Sequence, residues 1–169
     1  MRVPLVVMLA LLGWLAVPRV PVAHGSEPGL QASDDEIRDV VRRANSDEIY
    51  GAAYRASNPD LLRVAWAGEA LLDMTEDIQG LRSVGQYLDL ELENMDFRRI
   101  EALGPGRIRV VTLERWLARL YQLDGVFVGS QRQTVENRYL LDYRDDEWYI
   151  VEADQEVQGA EPIPRPSGP

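Results

Sequence analysis

Apolar positions along this chain change period once, and the change separates a helical half from a strand half. Ile37, Val40, Val41 and Ala44 recur at helical spacing, with Arg38, Arg42 and Arg43 on the opposite side. Ser33-Asp34-Asp35-Glu36 reads as a capping box before them, Ser33 accepting from the N3 amide. Ser46-Asp47-Glu48 reads as a second start, with Ile49, Ala52, Ala53 and Ala56 inward. Asn58-Pro59-Asp60 is a third, with Pro where its missing N–H costs nothing. The spacing predicts a helix from there to about Gly80, striped by Leu61, Ala65, Gly68, Leu72 and Thr75. Leu88, Leu90 and Leu92 then alternate with Asp89, Glu91 and Glu93, the pattern of a half-buried strand. Parity slips before Met95 and Phe97, which predicts a bulge near Glu93-Asn94. Gly104-Pro105-Gly106 is a turn, and Ile108 to Tyr121 is a second long strand. Thr134 to Tyr143 and Trp148 to Ala153 are two more strands around an Asp145-Asp146 hairpin turn. Helices first and antiparallel strands after them mean α+β: helices covering one face of a strongly bent sheet, curled into a cone with an open end.

The ends of the chain read differently. Val3 to Val17 is a fifteen-residue uncharged run behind Met1-Arg2. A membrane span needs about 20 apolar residues, so the run suits a secretory signal peptide. Pro18 and Pro21 break it, and Ala23-His24-Gly25 offers the small residues that a signal peptidase reads. The expected organisation is residues 1–25 signal peptide, 26–33 linker, 34–157 folded domain and 158–169 a disordered Pro/Gly-rich tail. An uncleaved anchor is the alternative, and either form places the domain outside the cytoplasm.

Composition then removes chemistry. There is no Cys, so neither a disulfide nor a thiol nucleophile is available. All 18 basic residues are Arg, and the one His, His24, leaves with the signal segment. The remaining 144 residues carry a net charge of −12. A His-based triad, a multi-His metal site and nucleic-acid binding are thereby disfavoured. No cofactor is expected. Asp34-Asp35 and Asp145-Asp146 lack the ligand spacing of a calcium loop, so no metal is expected either.

Three stretches carry a family resemblance. They are Leu61-Leu62 through Gly68-Glu69-Ala70-Leu71, Arg109-Val110-Val111-Thr112-Leu113-Glu114-Arg115-Trp116, and Arg138-Tyr139-Leu140-Leu141-Asp142-Tyr143 through Trp148-Tyr149-Ile150-Val151. In this order, over about residues 34–155, they resemble the nuclear transport factor 2-like, SnoaL-like superfamily. Within it they are most similar to the bacterial relatives of the intermembrane-space domain of chloroplast division proteins. Glu147 stands where the closing turn usually has Gly. The resemblance implies a cone fold and a binding cavity, not a reaction. Enzymes of the superfamily use an Asp or His base with a Tyr or Asp electrophile, and no such set matches here residue by residue.

Glu114 is the first candidate site residue. It shares strand phase with Val110, Thr112, Trp116, Ala118 and Leu120, and a carboxylate on an apolar face is a candidate base or ligand anchor. An ion pair with a neighbouring Arg is the expected partner. Trp116, Tyr121, Tyr139 and Tyr143 are the candidate aromatic wall of the pocket; core packing is the competing reading. Asp89, Glu91 and Glu93 against Arg115, Arg119, Arg132 and Arg138 predict cross-strand pairs on a solvated face. The function expected is an exported, non-catalytic domain binding a small apolar ligand or an envelope protein, with a homodimer through the sheet as a further option. The alternative is a cone-fold isomerase, dehydratase or cyclase with Glu114 as base and Tyr139 or Tyr143 as donor.

Overall fold

The computed structural model describes residues 32–163. The expected signal segment and linker up to Gln31 lie outside the described residues. Helix α1 (Asp34–Ala44) starts as its sequence dictates: the Ser33 side chain accepts from the Glu36 N–H at 3.2 Å, and three acids occupy the first turn. Its inner stripe, Ile37, Val41 and Ala44, is fully buried. The second start forms a π-turn (Asp47–Gly51) running into a single-turn helix α2 (Ala52–Arg55), and Ser46 makes no side-chain cap. Asn58 does cap, accepting from the Asp60 N–H, but it opens only a 3₁₀ turn (Pro59–Val64).

The single helix expected to run from there to about Gly80 is broken. Trp66 forms a parallel bridge to Ile150 of the last strand. Ala67 N–H donates to the Ile150 carbonyl at 2.8 Å, and Ile150 N–H donates to the Ala65 carbonyl at 3.0 Å. These bonds take the backbone groups that a continuous helix would use. The chain re-enters helix α3 (Gly68–Ser83) through Gly68 at φ +58°, where an added Cβ would lie 3.0 Å from the Val151 carbonyl oxygen.

The sheet has four antiparallel strands in chain order: β1 (Gln86–Gly104), β2 (Arg107–Gln122), β3 (Phe127–Arg144) and β4 (Glu147–Ile163). The register shifts between Leu92 and Asn94, the bulge expected from the parity slip, and again between Phe97 and Arg99. With a third shift between Ala102 and Gly104, these irregularities in one strand bend the sheet over the helices. Asp145 and Asp146 both have positive φ, the geometry of a two-residue type I′ hairpin turn. β4 does not stop at Ala153. It continues to Ile163, paired with β3 as far as Ser130, although residues 152–162 are exposed. An edge strand held by backbone bonds and exposed ion pairs needs no apolar alternation, so periodicity could not locate its end.

The inner face carries the core. Ile108, Val110, Trp116, Ala118 and Leu120 of β2 and Val135, Tyr139 and Leu141 of β3 are buried. Fully burying such aliphatic or aromatic side chains contributes roughly 1.5–3 kcal/mol each. The outer face is charged and internally paired, as expected. Arg119 meets Asp89 at 3.2 Å and Glu91 at 2.7 Å, and Glu93 takes Arg132 at 2.6 Å and Arg115 at 3.1 Å. Arg138 turns instead to Glu136 and Glu156. Such exposed pairs are each worth about 0.2–1 kcal/mol.

Candidate functional site

Strand alternation sets Thr112, Glu114 and Trp116 side by side on the inner face of β2, and Asn137 and Tyr139 on the same face of β3. Glu114 is 1% exposed. Its Oε1 accepts from the Thr112 hydroxyl at 2.6 Å and the Tyr139 hydroxyl at 2.8 Å. Its Oε2 accepts from Trp116 Nε1 at 2.8 Å and Asn137 Nδ2 at 2.7 Å. The expected arginine partner is absent among the described residues. Every Arg on β2 and β3 lies on the outer face, because strand alternation that turns Glu114 inward turns its neighbours outward. A buried carboxylate without a counter-ion is costly unless its lone pairs are filled. Here four neutral donors fill both oxygens.

The hub is tied to the helices. The Tyr139 hydroxyl also lies 3.4 Å from Asn45 Oδ1, and Asn45 donates through Nδ2 to the Val41 carbonyl at 3.0 Å. Trp66 Nε1 donates to the Ala44 carbonyl. Burial, together with the smaller effect of the Glu114 charge, pushes the Tyr139 phenol well above its ordinary pKa. Rings close the space beside the carboxylate: Tyr50 packs on Tyr54, Trp66 and Trp116 at centroid distances of 5.1, 5.7 and 5.4 Å, and Trp66 meets Tyr139 edge-on at 6.0 Å.

The five sequence-derived candidates therefore fall into three places. Glu114, Trp116 and Tyr139 form the hub. Tyr121 stacks on Tyr87 at 5.3 Å and meets Phe127 at 5.6 Å, at the strand end where β2 turns into β3. Tyr143 packs edge-on against Trp148 at the opposite end. There it borders a groove of about 210 Å³ with Val40, Arg43, Val64 and Trp148. A concavity of about 390 Å³ lies on the outer face, bordered by Arg99, Arg109, Val111, Arg138, Leu140 and Asp154 among others. Glu114 borders neither. Thr112 and Asn137 were legible as inner-face positions by their phase with Glu114 and Tyr139. Asn45, brought in from the end of α1, carried no sequence signal.

A different carboxylate is poised for titration. Asp77 on α3 is half-buried, and desolvation, then Asp73 and Glu76, raise its pKa from 3.8 to about 6. From the π-turn and α2, Tyr50 and Tyr54 feel its charge; burial holds Tyr50 at about 12. The folded state thus holds the Asp77 proton more tightly than the unfolded chain does. Its contribution to stability is fully present below about pH 4 and is lost as pH rises through about 6. Asp77→Asn is expected to raise stability at pH 7 by about 1 kcal/mol after allowance for solvent screening, and to change nothing at pH 3.5. Urea melts of both forms at the two pH values check this; equal curves at pH 7 would show that Asp77 is solvated.

Comparison with known proteins supports the fold. The intermembrane-space region of the chloroplast protein ARC6 superposes with a TM-score of 0.65 at 17% identity, covering 76% of this chain and all of that one. The hexachlorocyclohexane dehydrochlorinase LinA-type3 of Novosphingobium barchaimii LL02 gives 0.49 at 13% identity, over 75% of this chain and 90% of that one. A domain of unknown function with a cystatin-like fold from Nostoc punctiforme PCC 73102 gives 0.43 at 10% identity, over 73% and 78%. No family model matches the sequence, and no curated protein matches it. The likeness extends to the α+β fold, helices on a curved antiparallel sheet, as the sequence resemblance to the nuclear transport factor 2-like superfamily implies.

Proposed function

We propose that this chain is an exported, non-catalytic protein-binding domain of the cell envelope. The observation that carries the reading is the saturation of Glu114. A general base needs a free lone pair within reach of a substrate proton. Both Glu114 oxygens are filled by groups of the same chain, and the carboxylate is 1% exposed. The envelope location rests on the apolar run Val3–Val17 and fits a structural neighbour from an intermembrane space. The binding surface is the strand end around Tyr121. Val84, Leu123 and Val126 are 64%, 55% and 54% exposed there. Leu123 N–H donates to the Gly85 carbonyl and Gln122 N–H to the Val126 carbonyl, which places those apolar side chains beside the Tyr87–Tyr121–Phe127 stack. Contiguous apolar surface of this kind marks a contact site for protein.

One observation favours the enzymatic alternative: Tyr139 and Glu114 stand 2.8 Å apart, a donor–carboxylate pair of the type that reading requires. One experiment separates the two. Envelope protein is crosslinked to purified wild type, to Glu114→Gln and to Leu123→Asp/Val126→Asp, with a small-molecule binding and turnover screen beside it. The expected result is one crosslinked partner shared by wild type and Glu114→Gln and lost in the double variant. Turnover or ligand stabilisation that Glu114→Gln abolishes would overturn the binding-domain reading.

A further inference from the structure

β4 is an edge strand, and the chain itself begins to add a neighbour to it. Residues 65–67 pair with the edge at Ile150: Ile150 N–H donates to the Ala65 carbonyl, and Ala67 N–H donates to the Ile150 carbonyl. Gly68 then turns that segment away into α3. Over residues 152–163 no segment covers the edge among the described residues. Ile150 has its side chain buried and its backbone groups turned to the edge. Read across the register shifts, Ala153, Gln155, Val157 and Ala160 share that phase, opposite the inward-facing Tyr139, Asn137, Val135 and Gln133. Pro162 follows in the same phase, where its missing N–H removes no ladder bond. Those four β3 residues are buried while their β4 partners are exposed. The helix layer therefore stops at β3 and leaves the inner flank of β4 open.

We propose that this edge accepts an extended segment of a partner protein as an added strand, with apolar side chains on the helix side and Arg or Lys on the outer side. The edge-facing N–H and C=O groups of Ala153, Gln155, Val157 and Ala160 supply the ladder. The two flanks set the partner's chemistry. On the inner flank these four residues are uncharged, and Val157 is 49% exposed. On the outer flank Glu152, Asp154, Glu156 and Glu161 are all acidic, and β4 carries no Arg. Arg107 and Arg138 meet Glu152 and Glu156 from within the sheet. The same acids oppose pairing of two β4 edges from two copies, since like charges facing across strands repel. The β1 edge is a poorer template, because three register shifts interrupt it. The proposal rests on the protein-binding reading above for the class of partner. Its surface is a second one, which approaches the Tyr121 strand end where Ile163 lies opposite Ser130.

The test is an NMR titration of the purified chain with a synthetic peptide that alternates Val and Arg and is long enough to span residues 152–160. Binding is expected to protect the amides of Ala153, Gln155, Val157 and Ala160 from hydrogen exchange. A peptide alternating Val and Glu is expected to bind at least about tenfold more weakly. The Val–Arg peptide N-methylated along its backbone keeps its charge and loses its donors, and is also expected to lose at least about tenfold. Asp154→Arg/Glu161→Arg is expected to reverse the preference between the two peptides, with melting curves confirming that it folds. Leu123→Asp/Val126→Asp is expected to bind the Val–Arg peptide as wild type does, so this result stands even if the strand-end reading fails. No binding, equal affinity for the Val–Arg and Val–Glu peptides, or undiminished binding of the N-methylated form would each overturn the proposal. Edge amides already protected in the chain alone by a second copy would overturn it too. Binding lost in Leu123→Asp/Val126→Asp would do the same, by placing the contact at the Tyr121 strand end.

Discussion

Glu114→Ala is expected to lower the melting temperature by roughly 10–20 °C. The substitution strands four donors in the core, the Thr112 and Tyr139 hydroxyls, the Trp116 indole N–H and the Asn137 amide. Each buried donor left without an acceptor costs about 1–3 kcal/mol, while removing an uncompensated charge returns part of that. A net loss of about 3–5 kcal/mol is a large share of a typical total of about 5–15. Glu114→Gln should cost only about 1–2 kcal/mol. The Thr112 and Tyr139 hydroxyls can rotate to accept from the new amide, and its oxygen still accepts from Trp116 and Asn137. Thermal melts of the three forms give the comparison. Ala and Gln variants that melt together, close to wild type, would show that the hub does not hold the sheet.

Trp148→Ala is expected to cost about 3–5 kcal/mol, because Trp148 is buried at the start of β4 and packs edge-on against Tyr143 at 5.2 Å. Trp148→Phe should behave differently. Trp148 Nε1 is buried and has no hydrogen-bond partner among the described residues. Removing an unpaired N–H recovers about 1–3 kcal/mol, which offsets most of the lost ring volume. The Phe variant should therefore stay within about 1 kcal/mol of wild type in chemical denaturation. A Phe variant as damaged as the Ala variant would mean that the indole nitrogen has a partner, such as a buried water.

The features legible in the sequence were those set by neighbours a few residues apart. Ser33 and Asn58 cap where their side chains reach their own backbone. The bulge at Glu93 arises from parity alone, since the side-chain period of a strand is two and the apolar set must stay inward. The phase of β2 put Glu114 on the apolar face, where it lies.

Contacts between residues far apart escaped. Helix propensity through Ala65-Trp66-Ala67 yields to a bridge with Ile150, more than 80 residues on. The partners of Glu114 could not be read as ion pairs or neutral bonds until the sheet fixed which face each Arg occupies. Tyr121 and Tyr143 are rich in aromatic neighbours, yet strand length carries them to opposite ends of the sheet, away from the carboxylate.

Whether Glu114 is a closed structural centre or an accessible base is read most directly from hydrogen exchange of the Trp116 indole N–H, which donates to Glu114 Oε2. Followed by NMR across a denaturant series, that proton is expected to exchange only with global unfolding, with the same free energy as the most protected amides of β2 and β3. Exchange that is fast in the native state and insensitive to denaturant would contradict this. It would place solvent at the carboxylate and open Glu114 to a substrate.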